Sequence, residues 1–153
     1  MPALKLLYTW ADGIWGKPGY IYQASNWLYG GFIWTDVYMI ATGHRVHPRQ
    51  LRGARSTAGL SGSSRPSHIE MQQLGWVHYY GKQFRYVYFL CSRAEKKRLL
   101  AESTVCWDTA YPKHRDLQWK ISAGKGSRVS GELPKFAGAV QFRLPAPLKG
   151  RTA

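Results

Sequence analysis

Acidic residues are scarce in this chain. Eight Asp and Glu stand against 22 Lys and Arg in 153 residues, a formal net charge of +14. That shortage makes a polyanion the expected partner, a nucleic acid before an anionic membrane surface. Cysteine is nearly absent: Cys91 and Cys106 are too few for a disulfide framework. No apolar run approaches the roughly 18–20 residues of a membrane span. A secretory leader is missing, as is any Gly-rich phosphate loop of the P-loop or dinucleotide type. Together these absences exclude a disulfide scaffold and point away from a membrane protein or a nucleotide-fold enzyme. They favour a protein of a reducing cytosol.

What is present is aromatic. Seven Trp, ten Tyr and five Phe within 44% hydrophobic residues argue against wholesale disorder. The length suits one domain with a real core. Charge is unevenly placed. Residues 1–44 carry only Lys5 and Lys17 against Asp12 and Asp36, whereas most of the basic residues follow from Arg45 onward. Whatever site the first third holds is therefore separate from the basic surface.

The pattern along the chain alternates strands and helices, an α/β class. Leu4–Ala11 is short, apolar and aromatic, the signature of a buried strand, and Asp12 stands at its end. Gly13, Gly16, Pro18 and Gly19 form a turn. A helix is expected over Tyr20–Tyr29, ended by Gly30-Gly31. Its 100° steps put Tyr20, Ile21, Ala24, Trp27 and Leu28 on an apolar face, opposite Tyr22, Ser25, Asn26 and Tyr29. Gly31–Thr42 reads as a second strand, and His44–Ser64 as a long polar loop. Ser67 and Glu70 make a capping box for a short helix that stops at Gly75. Gln83–Leu90 is a third strand and Arg93–Glu102 a basic helix. Tyr111-Pro112-Lys113 marks a turn. Residues 1–123 thus form the domain, and 124–153 a Gly/Pro/Lys-rich, poorly ordered tail with one strand-like stretch at Ala139–Leu144.

Two groups of residues carry candidate chemistry. A strand-end carboxylate, Asp12, near a helix tyrosine, Tyr22, could move protons to and from a bound nucleophile. On spacing alone, a turn-capping Asp12 and a packing Tyr22 explain the same residues. Arg45, Arg49, Arg52, Arg55 and Arg65 lie on a Gly/Ser-rich stretch and could track phosphates. Lys96, Lys97 and Arg98 on the basic helix could add to them. His44 and His47 have a spacing compatible with a metal, which Asp36 could join, but two loop histidines without a clear third ligand are better explained by a phosphate or backbone contact.

The stretch AD-x6-G-x-IYQA-x-NW-x-Y-G, from Ala11 to Gly30, resembles the core motif of the phage Mom proteins. RYVYFL with the basic helix after it, and Tyr111-Pro112-Lys113, agree with that resemblance, which covers roughly residues 5–113. It implies a partial GCN5-related acyltransferase-like fold, a mixed sheet with flanking helices. It implies an enzyme that places a carbamoylmethyl group on N6 of adenine in phage DNA, shielding that DNA from restriction. Asp12 and Tyr22 would match residues needed for activity, Tyr22 as the acid that protonates a leaving group. Lys17, Asn26 and Tyr29 would line the donor pocket, Lys17 where family members often carry a histidine. An activated acyl donor is implied, and iron has been associated with the family. Reaching N6 in a duplex requires extruding the base, which Trp15, Tyr22 or Tyr29 could stack on.

The family has a segment before this motif, with early strands and a His-Tyr pair tied to activity. Here the motif begins about ten residues after Met1, so a shortened form or a fragment is expected. Its sheet would be completed by a homodimer or by the missing segment. The expected partner is double-stranded DNA in the cytoplasm of a bacterial host. The alternative is a truncated, inactive, basic DNA-binding protein, and a third reading is an RNA-binding one.

Overall fold

The computed structural model describes residues 4–51 and 65–137. Six strands form one sheet: β1 (Leu6–Asp12), β2 (Leu28–Met39), β3 (Arg45–Val46), β4 (Val77–Phe89), β5 (Trp119–Gly124) and β6 (Ser127–Gly131). Among the described residues three α-helices accompany it: α1 (Tyr20–Ala24), α2 (His68–Leu74) and α3 (Arg93–Glu102). This is the expected α/β class, and every described pairing is antiparallel.

β4 organises the sheet. One of its edges pairs with β2 over nearly its whole length. Its other edge is shared: β1 takes Gln83–Phe89 and β5 takes Tyr79–Gly81. The turn Gly13–Trp15 sits in the gap between them. Close approach there requires glycine on both sides. A Cβ on Gly81 would lie 2.4 Å from Ile14 Cγ1, and one on Gly13 would lie 2.3 Å from the Lys82 carbonyl oxygen. The two glycines let the turn that follows Asp12 press flat against β4.

Alternation along β4 sorts the two faces. On one, Phe84 and Tyr86 are fully buried with Ala11 and Leu117, and Tyr22, Trp27, Tyr29 and Tyr111 pack against them. At the far end of that face, Tyr38 packs with Met71 of α2, Trp76, Val46 and Leu51. On the opposite face, Ile14, Val37 and Phe136 form a smaller cluster with Trp15 and Tyr79.

The capped helix is as the sequence indicates. Ser67 and Glu70 exchange both capping bonds, and Gly75 ends α2 with φ +65°. α3 spans Arg93–Glu102, with the Ser92 hydroxyl accepting from the Glu95 amide.

Other expectations are corrected. β1 is not buried: Leu6, Leu7 and Tyr8 are 36%, 39% and 48% exposed, because among the described residues only β4 pairs with this strand. The helix expected to reach Tyr29 ends at Ala24. Asn26 turns the chain with φ +57°, and Gly30-Gly31 lies inside β2, where the register with β4 shifts between Tyr29 and Phe32. Pairing of Leu28 and Tyr29 with Val87 and Tyr86 prevails over the local helical period. The buried face of α1 is also inverted. Tyr20 and Ile21 are 51% and 72% exposed, while Tyr22 and Gln23 turn inward.

The strand expected at Gln83 begins six residues earlier, at Val77. The sheet also runs on past residue 123. A turn at Gly124–Gly126 joins β5 to β6, and Phe136 returns to the core against Trp15. The stretch at Ala139–Leu144 lies outside the described residues, as do Arg52 and Arg55.

Candidate functional site

Tyr22 stands on α1, the short helix held against the sheet by side chains rather than by its own length. Gln23 is the fastener. Its amide nitrogen donates to the Tyr86 hydroxyl at 3.0 Å and to the Pro112 carbonyl at 2.9 Å. The Tyr86 hydroxyl in turn donates to the Pro18 carbonyl. Burial pushes the Tyr86 hydroxyl's pKa up to about 12, so it stays protonated and remains a donor. The Tyr22 ring then rests between Tyr86 and Trp27, with centroids 5.2 Å from each. Its half-buried hydroxyl accepts from Thr9 Oγ1 at 3.3 Å. This is a fixed ring with, among the described residues, one long hydrogen bond at its oxygen.

Asp12 is placed differently. It ends β1 and caps the following turn, its carboxylate accepting from the Ile14 amide at 3.1 Å. It lies three positions after Thr9, so strand alternation directs the two to opposite faces. The charges acting on it agree: Arg45, Lys17 and His47, with Arg45 lying 4.9 Å above the Trp15 ring on the Ile14–Phe136 side. Burial raises the Asp12 pKa, opposed by the Ile14 hydrogen bond and by those cations. The structure therefore does not bring Asp12 and Tyr22 into contact. They are two features on either side of one strand.

A raised carboxylate destabilises the fold at neutral pH. The folded state holds its proton more tightly than the unfolded chain, so stability falls as pH rises from about 3.8 through the folded pKa. Asp12→Asn keeps an oxygen for the Ile14 amide and removes the charge. Its melting temperature at pH 7 is expected to equal or exceed that of the wild type, with the difference vanishing below pH 3.8. Thermal melts across that range check this; a loss of several degrees at pH 7 would show that the charge stabilises the turn.

The remaining expected residues scatter. Tyr29 is on β2 rather than on a helix face with Tyr22, although both touch Tyr86. Burial raises its pKa. Asn26 is exposed on the turn after α1, and Lys17 is exposed near Asp12. Trp15 is engaged by Phe136 and Arg45. His44 Nδ1 lies 3.0 Å from Thr42 Oγ1, and His47 Nδ1 accepts from the Arg49 amide. Asp36 joins neither, since it pairs with His78 at 3.0 Å and Arg65 at 3.1 Å. Among the described residues no three His, Cys, Asp or Glu come together as a metal would need. Cys91 and Cys106 are free thiols, the second exposed.

The basic residues divide as well. Arg49 is exposed on the Pro48–Gln50 turn. Arg98 pairs with Glu102 at 3.1 Å and lies 3.6 Å from Glu95. Lys96 rests 5.5 Å from the Phe89 ring centroid, and Lys97 is exposed.

One polar cluster escaped the sequence. Asp36, His78 and Tyr80 form a chain on the sheet, His78 Nε2 to Asp36 and Nδ1 to the Tyr80 hydroxyl at 3.3 Å. His78 is stacked 4.1 Å from Tyr38. The hydrogen bond from His78 holds the Asp36 carboxyl below its usual range. Cross-strand register assembles this cluster, and only the even positions of a strand beginning at Val77 would have announced it. An open groove of about 390 Å³ lies between Leu117–Trp119 and Ser130–Leu133, and none of the expected site residues lines it.

The fold and the site define an α/β protein with an antiparallel sheet, an anchored tyrosine and a basic surface rich in aromatic rings. No helix among the described residues is long and apolar enough to cross a membrane. Comparison with curated proteins and with solved structures finds no match. The Mom protein family model matches residues 1–113, and the chain belongs to that family. In general terms it is a phage Mom-type DNA-modification protein.

Proposed function

We propose that this chain modifies adenine in phage DNA at N6, with carbamoylmethylation as the reaction and protection from host restriction as the result. The family match carries the reading, because it spans the whole Asp12–Gly30 motif. The net charge of +14 supports a nucleic-acid substrate.

Tyr22 is the acid in this reading. Its ring is clamped by Tyr86 and Trp27 and its oxygen is already oriented by Thr9, so little entropy is lost in aligning it. Asp12, on the other side of β1, acts by holding the Gly13–Trp15 turn and its neighbouring cations rather than by exchanging a proton with Tyr22. DNA is held through phosphates by Arg49 and by the basic side of α3, Lys96 and Lys97. An acyltransferase-like arrangement of donor and amine is part of this proposal.

Two measurements test it. Plasmid DNA recovered from cells expressing the chain should resist restriction enzymes whose sites contain adenine, and full sensitivity would count against the reaction. Arg49→Ala should weaken duplex binding uniformly across sequences and reduce the slope of log affinity against log salt by about one. An unchanged slope in titrations between low and high salt would remove Arg49 from the DNA surface.

The second reading, a basic DNA-binding protein without activity, is favoured by the separation of Asp12 from Tyr22. It predicts the same salt dependence with no protection.

A further inference from the structure

We infer that the open stretch of the sheet between α2 and the 113–117 segment is a stacking platform for unpaired nucleotides of DNA. The inference rests on the DNA reading above and adds a surface that is separate from Tyr22 and from Arg49.

Strand register builds the platform. Trp34 pairs with Lys82, Asp36 with Tyr80, and Tyr80 on its other side with Lys120. Arg128 lies across from Ser122 in the β5–β6 hairpin. Alternation sends all of these side chains, with Phe32, to one face. There each ring carries a cation: Lys82 over Phe32 at 4.4 Å, Lys120 over Trp34 at 4.4 Å and Arg128 over Tyr80 at 3.9 Å. Among the described residues none of these three cations makes an ion pair with a carboxylate.

Both ends of the stretch are closed. At one, Lys82 Nζ donates to the Asp116 carbonyl at 3.1 Å and Leu117 packs on the Phe84 cluster. At the other, α2 packs over Tyr38. The middle stays accessible: Phe32 is 40% exposed, Arg128 is exposed, and Trp34, Tyr80 and Lys120 are half-buried. The floor is also stiff, because Tyr80 is held by His78, and His78 by Asp36 and the stacked ring of Tyr38.

Lys82 is buried and already bonded to Asp116, but rings whose cations have no carboxylate partner and reach the surface, Trp34 with Lys120 and Tyr80 with Arg128, are a recognisable match to a nucleotide. A phosphate takes the cation, and the ring it leaves takes the base. Bases within a duplex have their π-faces covered by neighbours, so only unstacked ones can use such a surface. A site that must extrude an adenine produces unstacked bases beside it, and a platform on the same sheet would hold them.

The test uses the full chain and fluorescence anisotropy at one fixed salt concentration. The probes are a labelled 12-nucleotide single strand of mixed sequence, its blunt duplex and the RNA of the same sequence. Trp34→Ala should weaken single-strand DNA binding about 10-fold or more, the range of one lost stacking contact, and change duplex binding less than about threefold. Trp34→Phe should restore most of the loss, and Lys120→Gln should weaken the single strand with no change in melting temperature.

Wild-type affinity for the single strand in both Trp34→Ala and Lys120→Gln overturns the platform and leaves the DNA-modification reading standing. Failure of the wild-type chain to bind either form of DNA overturns both. Binding of the RNA about 10-fold tighter than the DNA single strand overturns the assignment to DNA.

Discussion

Tyr22→Phe should lower adenine modification by about 100-fold or more, the contribution of a positioned proton donor, while the fold stays almost unchanged. The substitution removes one oxygen. That oxygen's only described hydrogen bond is the long one accepted from Thr9, so the cost in stability is about 0.5 kcal/mol, the low end for a hydrogen bond. The ring stays, and with it the contacts to Tyr86 and Trp27. Duplex affinity should also hold, since no charge changes. Modified-nucleoside yield, a thermal melt and a binding titration on the same preparation separate these effects. Activity within a few-fold of wild type would make Tyr22 a packing residue.

Tyr86→Ala should unfold the chain or nearly so. Tyr86 is 0% exposed and touches Tyr22 and Tyr29, so losing its ring costs about 3–5 kcal/mol. Its hydroxyl also joins Pro18 to Gln23, which reaches on to Pro112. Stranding those groups adds roughly 1–3 kcal/mol, against a total stability of about 5–15 kcal/mol for a domain. Tyr86→Phe isolates the second part. It should cost roughly 1–3 kcal/mol and lower modification too, because α1 loses the fastening that points Tyr22. Urea unfolding of the two variants checks the ordering. Equal stabilities would mean that the hydroxyl network, not the ring, holds α1.

Legibility of the sequence followed the range of the physics involved. α2 and α3 are readable because their signals are local: Ser67 with Glu70 and Gly75 for the first, and the Arg93–Glu102 run itself for the second. β1, β2 and β4 were readable as runs of β-forming residues, though not their full extents. α1 was overextended because residues 20–29 satisfy a helical period, whereas Tyr29 is claimed by Asp108 and Tyr86 from elsewhere in the chain. Asp12 and Tyr22 stand out in the sequence as candidates, but which side of β1 each occupies depends on strand alternation and on the turn at Gly13. The Asp36–His78–Tyr80 chain and the ring–cation pairs could not be read at all. They are made by register between β2, β4, β5 and β6.

The most direct test of the central claim is mass spectrometry of nucleosides from DNA propagated with the full chain. The account predicts a deoxyadenosine carrying the added N6 group with wild type, and its near-complete loss with Tyr22→Phe at equal protein level. Unmodified deoxyadenosine alone, from cells holding soluble and folded wild-type chain, would contradict it.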